Sequence, residues 1–204
     1  MNINEKIEEI IKTEWEMFQE VDNIGGRASC QDDPETFYIM RRSQYENWSP
    51  DMISCYFQFI SECRDNGRNL VSEKYARMMA YTDPHYYNKY IKGKIPFVPA
   101  STYRLIGEIV DSLIDWEEDF AAKYPLLADT GRPVRSDGDA SGFTSMETYA
   151  RGVLETYPVE LLRLYLEYIN ELKASNLSLS EKNQLTMVKL YGYDSIEEAE
   201  ASLR

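Results

Sequence analysis

Residues 101–123 read STYRLIGEIVDSLIDWEEDFAAK, and their hydrophobic pattern is the most regular in the chain. Four acidic side chains, Glu108, Asp111, Asp115 and Glu118, fall on one face of a helix drawn through this stretch. The opposite face is apolar and consists of Leu105, Ile106, Ile109, Leu113, Trp116 and Phe120. This division is typical of an amphipathic α-helix that packs on a protein core. The stretch therefore predicts a helix over 101–123.

The segment 158–174 is apolar around most of its circumference. Its charged side chains form a narrow stripe of Glu160, Arg163, Glu167 and Glu171. A helix of this kind buries most of its surface, so we expect it at the centre of the fold. Its apolar residues are Leu161, Leu162, Leu164, Tyr165, Leu166, Tyr168, Ile169 and Leu172.

Capping signals divide the rest of the chain into helices and connections. A capping residue followed by proline opens helices at Asp33-Pro34 and Ser49-Pro50, Gly67 closes the second of these, and a further helix fits 70–81. No run alternates with a period of two, and no long internal repeat is present, which disfavours a sheet and a solenoid. We predict an all-α fold: one compact, non-repeat domain over residues 1–204, a bundle of about eight helices.

The stretch 124–143 is the longest predicted connection and is rich in Gly, Asp and Ser. At roughly 20 residues it exceeds the usual length of a loop, which favours either a mobile segment or a functional one. Because it carries Arg132 and Arg135, its functional form would be a lid over a cleft.

The composition indicates a folded protein with an acidic surface. Of 204 residues, 43% are hydrophobic, and the formal net charge is −13. This charge repels phosphate backbones and anionic lipids, so we expect no nucleic-acid and no membrane partner. No uncharged stretch reaches the ~18 residues of a membrane span. Three cysteines, Cys30, Cys55 and Cys63, favour free thiols in a reducing compartment and hence the cytoplasm.

The single histidine, His85, restricts the chemistry that the chain can support. One histidine cannot supply the Glu-x-x-His pairs of a di-iron bundle. Cys55 and Cys63 lie two helical turns apart, about 12 Å, which is too far for a shared zinc ion. We therefore expect no metal and no cofactor.

Charge is distributed unevenly along the chain. Residues 24–104 carry a net charge of +2, whereas residues 1–23 carry −5 and residues 105–204 carry −10. Five of the twelve arginines lie between Arg27 and Arg68. These arginines either pair with the acidic surroundings or line a pocket for a small anion.

Several polar side chains fall on helix faces that should be apolar. Arg41 and Gln44 lie in the middle of the apolar sector of the helix after Asp33, and Lys74 lies within the apolar arc of 70–81. An unpaired buried charge costs several kcal/mol, by rough estimate, so each needs a partner. That partner is either an ion pair that locks two helices together or a ligand.

Two further pairs of opposite charge are spaced four residues apart. Glu147 and Arg151 lie on the edge of a helix face after Thr144. Glu73 and Arg77 are expected to pair on the flank of their helix. Arg41, Lys74 and Arg151 lie in or beside apolar helix faces, as Gln44 does, and Glu147 is the clearest acid at such a position. The cations therefore outnumber the acids that could neutralise them, which favours a ligand as the missing negative charge.

The loop 25–31, GGRASCQ, precedes a helix N-terminus. Glycines let the backbone approach a ligand, and the helix dipole favours an anion. Arg27 and the helix start lie close to Cys30 in the sequence and would lower the pKa of its thiol, which makes Cys30 a candidate catalytic nucleophile. The alternative is that Cys30 is a small buried thiol without a catalytic role. Gly67-Arg68-Asn69 is a second polar cluster that could form the same wall.

These observations predict a cationic, aromatic-lined pocket for a small anionic ligand: a nucleotide, a phosphate or a carboxylate. Whether a reaction takes place there stays open. The predicted ligand-binding residues are Arg27, Gln31, Arg41, Gln44, Arg68, Asn69, Lys74, Tyr75, Glu147 and Arg151.

The residues 26–31, GRASCQ, followed by Thr36-Phe37, Met40-Arg41, Gln44 and Trp48, resemble the opening signature of an uncharacterised bacterial family of unknown function. The stretches 67–79, 147–157 and 191–200 resemble its later blocks, so the resemblance covers nearly the whole chain. The resemblance implies an intracellular bacterial protein, and for some members an associated nucleotidyltransferase-like domain. It supplies no catalytic residue.

The alternative function is a non-catalytic protein–protein interaction module that uses its acidic surface. Its partner would be a basic protein or a fused domain. A nucleotidyltransferase-like domain and a second copy of the chain in a homodimer are the two specific partners that we consider. A ligand site requires the cations to converge on an accessible cleft. An interaction module instead requires each cation to be closed off by a carboxylate, with an exposed apolar patch elsewhere.

Overall fold

The structure, a computed structural model, describes residues 1–23, 26–139 and 143–204. Gly25 of the glycine loop and residues 140–142 of the long connection lie outside these ranges. The described residues are predominantly helical and include no β-strand, so the predicted all-α class is confirmed. No helix among them has the length and the hydropathy that crossing a membrane requires.

Eight of the described α-helices are nine residues or longer, which agrees with the predicted number, and three are shorter. In chain order they are α1 Ile3–Gln19, α2 Pro34–Tyr45, α3 Pro50–Asp65, α4 Leu70–Thr82, α5 Pro84–Tyr86, α6 Ala100–Lys123, α7 Pro125–Asp129, α8 Met146–Leu154, α9 Val159–Ala174, α10 Leu179–Leu190 and α11 Ile196–Ser202.

The helices begin where capping chemistry predicts. The Asp33 and Ser49 side chains accept hydrogen bonds from backbone N–H groups in the first turns of α2 and α3, each of which opens with proline. Asn69 caps α4 in the same way by accepting from the Ser72 N–H. The Asn69 amide also donates to the Met17 carbonyl, which ties the start of α4 to α1.

The predicted central helix, α9, does occupy the core. Leu161, Leu162 and Ile169 are fully buried, and α9 packs against α3 and α6. The helix α6 buries its predicted apolar face at Ile106 and Ile109. The core therefore forms around the two segments whose hydrophobic patterns are clearest.

The Glu73–Arg77 pair lies inside the protein and not on the flank of α4, where the sequence predicts it. Arg77 is only 2% exposed, and its Nη2 donates to Glu73 Oε1 over 2.6 Å. It also donates to the Pro96 carbonyl and lies 3.6 Å from a carboxylate oxygen of Glu155. A tertiary carboxylate and a loop carbonyl make burial of this charge tolerable, and α4 alone does not reveal either partner.

The structure describes residues 124–139 of the predicted long connection. It contains α7 and a short 3₁₀ helix at Ser136–Gly138. Arg135 binds Glu118 of α6 through two hydrogen bonds of 2.6 and 2.8 Å. The Pro133 carbonyl accepts from the Met146 N–H at the start of α8. The segment before residue 140 is therefore anchored to both α6 and α8.

Gly152 allows α8 to lie close against α4. A Cβ atom at this position would stand 2.5 Å from Met78 Cγ and 3.1 Å from the Lys74 carbonyl oxygen. Only a residue without a side chain fits between the two backbones at this distance. The contact fixes the position of Tyr149, one turn earlier on α8, relative to Lys74.

We predict that Gly152→Ala lowers the free energy of unfolding by about 1–2 kcal/mol, because the overpacking outweighs the gain in helix propensity. The matched control is Gly107→Ala in α6, where no atom lies within 4 Å of an added Cβ. That variant should gain about 0.5–1 kcal/mol. Urea unfolding measures both, and equal stabilisation of the two variants would contradict the close packing.

Candidate functional site

A buried carboxylate joins three helices at the base of the site. Glu14 of α1 is 3% exposed. Its Oε1 accepts hydrogen bonds of 2.7 Å from the hydroxyls of Tyr45 on α2 and Tyr56 on α3. Burial and the charge of Glu14 raise the pKa of both tyrosines well above 10, so both stay protonated donors at neutral pH.

The other oxygen of Glu14 faces Arg41 of α2. Arg41 Nε lies 3.0 Å from Glu14 Oε2, although the contact lacks hydrogen-bond geometry. Burial alone would lower the pKa of Arg41, but the Glu14 charge raises it well above its ordinary value. Arg41 Nη1 donates to Gln44 Oε1 over 3.1 Å. Arg41 is thus a fixed positive charge that uses Glu14 as its counter-ion.

Lys74 of α4 is a second buried cation, 6% exposed, in the same region. No carboxylate oxygen of the described residues lies within 4 Å of its ammonium. Lys74 Nζ donates to the Tyr149 hydroxyl over 3.3 Å and lies 4.6 and 4.9 Å from the ring centres of Tyr75 and Tyr149. Burial lowers the pKa of Lys74, and the charge of Arg41 lowers it further.

Tyr149 of α8 completes the group. Its side chain is half-buried, and the guanidinium carbon of Arg132 lies 5.0 Å from the centre of its ring. Burial would raise the pKa of Tyr149, but the charges of Arg41 and Lys74 outweigh this effect and lower it to about 7. Burial instead raises the pKa of the neighbouring Tyr75 to about 12.

We call Glu14, Arg41, Lys74 and Tyr149 the Lys74 site. The site contains two buried cations and a single carboxylate, which pairs with Arg41, and a tyrosine hydroxyl is the hydrogen-bond partner of Lys74. A buried ammonium without a carboxylate is costly unless another negative charge approaches it. The site can therefore attract an anion, and the Tyr149 hydroxyl can exchange a proton near neutral pH.

Four of the predicted binding residues meet at this site. Arg41 and Lys74 supply the charges, and Gln44 accepts a hydrogen bond from Arg41. Tyr75 places its ring against Lys74. The sequence predicts Arg41, Gln44 and Lys74 because they are polar residues on apolar helix faces, and this signal does not apply to Tyr75.

Two of the three predicted residues in the glycine loop, Arg27 and Gln31, form contacts that hold the loop itself. Arg27 binds the carboxylate of Asp32, 2.8 Å away. Gln31 is buried and uses all its polar positions: it donates to the carbonyls of Phe18 and Val21 and accepts from the Asn23 amide and the Ala28 N–H. Cys30 is exposed on a short 3₁₀ helix at Ser29–Asp32.

The remaining predicted residues are engaged by other parts of the protein. Arg68 forms two hydrogen bonds, of 2.8 and 3.1 Å, with Glu73. Arg151 Nη2 lies 3.2 Å from Glu147 Oε1, so these two predicted residues satisfy each other. Asn69 is the cap of α4. None of these groups supplies an unpaired charge.

Glu14 and Tyr149 belong to the site but are not among the residues that the sequence predicts. Glu14 lies four residues after Ile10 and four before Phe18, both buried, so the same test that finds Arg41 would have found it. Tyr149 carries no such signal, because its altered pKa depends on charges from two other helices. Arg132 stands out in the sequence only as part of the long connection.

Two surface hollows are present away from the Lys74 site. One, of about 550 Å³, lies between α6 and α9 next to Leu105, Arg163 and Glu167. The other, of about 350 Å³, borders the C-terminal ends of these helices at Lys123 and Lys173. Neither is lined by Arg41, Lys74 or Tyr149. At the Lys74 site, the side chains of Gln44, Tyr75 and Tyr149 are half-buried.

The chain belongs to a family described as "Protein of unknown function (DUF4125)", whose match covers residues 4–201. This confirms the predicted membership in an uncharacterised family. No curated protein and no solved structure matches the chain.

We predict that Glu14→Gln lowers the free energy of unfolding by about 3 kcal/mol, because it leaves the buried Arg41 without a counter-charge. Glu118→Gln is the control, since Glu118 pairs with Arg135 at the surface, and it should change stability little. Urea unfolding at neutral pH compares them. An equal, small effect of both changes would show that Glu14 does not hold the buried pair.

Proposed function

We propose that this protein binds a small anion at the Lys74 site. The supporting observation is that Lys74 is a buried ammonium with no carboxylate within ion-pair distance among the described residues. Glu14 is already the counter-ion of Arg41. An anionic oxygen that binds Lys74 Nζ would supply the absent charge and form a charge-assisted hydrogen bond in a region of low dielectric.

The proposed site is smaller than the one that the sequence predicts. It uses Arg41, Gln44, Lys74 and Tyr75, together with Tyr149, and leaves out the cations that already hold protein carboxylates. The ligand class is a carboxylate or a phosphate, including the phosphate of a nucleotide, whose base or sugar would lie towards the half-buried rings of Tyr75 and Tyr149.

We place this activity in the cytoplasm of a bacterium. Three free cysteines, one of them exposed, are compatible with a reducing compartment. The acidic net charge and the bacterial family that the sequence resembles support the same assignment.

The decisive variant is Lys74→Met, which keeps the length of the side chain and removes its charge. Because that charge is buried and lacks a carboxylate, we predict that the ligand-free variant unfolds at the same temperature as the wild type or at a higher one. It should lose the thermal stabilisation that phosphate, pyrophosphate, nucleoside monophosphates or citrate give to the wild type.

Lys173→Met is the matched control, because Lys173 is exposed and lies away from the Lys74 site, where its Nζ donates to the Ser112 hydroxyl and lies 5.9 Å from the ring centre of Trp116. It should keep the response to the same anions. If no anion in this series stabilises the wild type, or if Lys74→Met responds as the wild type does, the proposal is wrong.

We propose, as a second candidate, that the chain forms a homodimer through residues 84–104. This stretch carries Lys89, Lys92, Lys94 and Arg104 and no acidic residue, which leaves −17 on the rest of the chain. Phe97 is 87% exposed, and the rings of Tyr90 and Tyr103 are also exposed. These exposed rings, all within one basic segment, supply the kind of apolar surface that an interaction module requires.

The occupant that fits this patch is a second copy of the chain. The acidic face of α6, with Glu108, Asp111 and Asp115 exposed, directly follows the basic stretch. A two-fold axis would therefore bring each basic stretch against the acidic face of the other copy. Charge complementarity then acts twice in one closed dimer.

Light scattering tests this second candidate. We expect a dimer at low salt that dissociates as the salt concentration rises. The triple variant Lys89→Glu, Lys92→Glu, Lys94→Glu should be monomeric, and Lys189→Glu, an exposed lysine elsewhere, should remain dimeric. A wild type that is monomeric at low salt contradicts the dimer without affecting the anion site.

A further inference from the structure

We propose that binding of an anion at the Lys74 site is coupled to the uptake of one proton by the Tyr149 hydroxyl. The inference rests on the proposed anion-binding function and adds to it a second ligand, the proton. In the free protein the Tyr149 oxygen would be the negative partner of Lys74, and the bound anion would take its place.

The geometry makes Tyr149 and an anion competitors for the same ammonium. Lys74 Nζ has the Tyr149 hydroxyl oxygen as its hydrogen-bond partner, 3.3 Å away, and no carboxylate nearby in the described part of the chain. The rings of Tyr75 and Tyr149 lie against the ammonium and restrict its other approaches. An anion that reaches Nζ must therefore arrive next to the Tyr149 oxygen. Two negative oxygens at one ammonium repel each other, so one of them takes up a proton.

The charges around Tyr149 favour its ionised form before an anion arrives. The charged groups are Arg41 from α2, Lys74 from α4, Arg132 from the segment before α8, and Glu14 from α1. The other titratable groups are Tyr75 on α4 and Tyr157 after α8, whose pKa values are raised, so that they stay neutral. Three cations thus face one carboxylate, and the pKa of Tyr149 falls to about 7.

The exchange balances without a further reactant. The anion enters with its charge, one proton moves from solvent to the Tyr149 oxygen, and no covalent bond other than that O–H forms or breaks. Because the bound state holds one proton more than the free state, lowering the pH strengthens binding. Above a pH of about 7 the affinity should fall by up to about tenfold per pH unit, whereas below it the affinity should level off.

The first measurement uses the free protein. Tyrosinate absorbs in the near ultraviolet, so the wild type should show one titration step near a pH of about 7, well below the other tyrosines. Tyr149→Phe keeps the ring and removes the hydroxyl, and should lose only that step. Lys74→Met should move the step to higher pH. A wild type without any step below a pH of about 9 overturns the coupling whatever the ligand.

The second measurement is isothermal titration calorimetry with sulfate, whose own charge is constant over this pH range. Titrations at a pH of about 8 in two buffers of different ionisation enthalpy give the number of protons taken up, which we expect to approach one for the wild type. Tyr149→Phe should bind sulfate with no proton uptake and with little dependence on pH. That result separates coupling through the hydroxyl from a merely structural role of the ring.

The outcomes distinguish this inference from the proposed function. Sulfate binding that depends on Lys74 but takes up no proton overturns the coupling and leaves the anion site in place. Absence of sulfate binding at every pH overturns both. Proton uptake that persists in Tyr149→Phe also overturns the coupling, because the proton then goes to another group.

Discussion

The site depends on an excess of buried positive charge: Arg41 and Lys74 are both buried there, and Glu14 is the one carboxylate of the site. Glu14 is the counter-ion of Arg41, so its charge is already used. Its Oε1 accepts hydrogen bonds from two phenols, whereas its Oε2 faces Arg41 without a hydrogen bond. Lys74 enters the same region from α4 with only a tyrosine hydroxyl as its partner. The resulting excess of positive charge lowers the pKa of Tyr149 and is the basis on which we propose that the site binds a small anion.

Contacts between the helices bring the charged residues of the Lys74 site together. The helices α1, α2 and α3 meet at Glu14 through its phenol and guanidinium partners. Asn69 joins the start of α4 to the end of α1, and the bare backbone of Gly152 lets α8 approach α4 closely enough for Tyr149 to reach Lys74. Among the residues that the structure describes, the one other buried cation is Arg77, which lies between Glu73 and Glu155. Lys74 therefore differs from the other two buried cations, because each of those has a carboxylate partner.

The fold could be predicted from the sequence because its signals are local. Caps and hydrophobic periodicity decide where α2, α3, α6 and α9 lie, and a polar residue on an apolar face is visible from one helix alone. Which acid meets which cation is a tertiary property. Arg41 and Lys74 both fall on apolar helix faces in the sequence, yet Arg41 meets Glu14, whereas Lys74 meets a tyrosine. The same reason hides Tyr149, whose chemistry depends on charges that other helices bring to it.

The most direct test of the central claim is a crystal soaked in selenate at neutral pH and measured for its anomalous scattering. Selenate has the shape and the charge of sulfate, and its heavy atom is located without reference to any assumed binding mode. We predict an anomalous peak with selenate oxygens within hydrogen-bond distance of Lys74 Nζ and adjacent to the Tyr149 hydroxyl. A Lys74 ammonium bound instead to a protein carboxylate, with no peak beside it, would contradict the account.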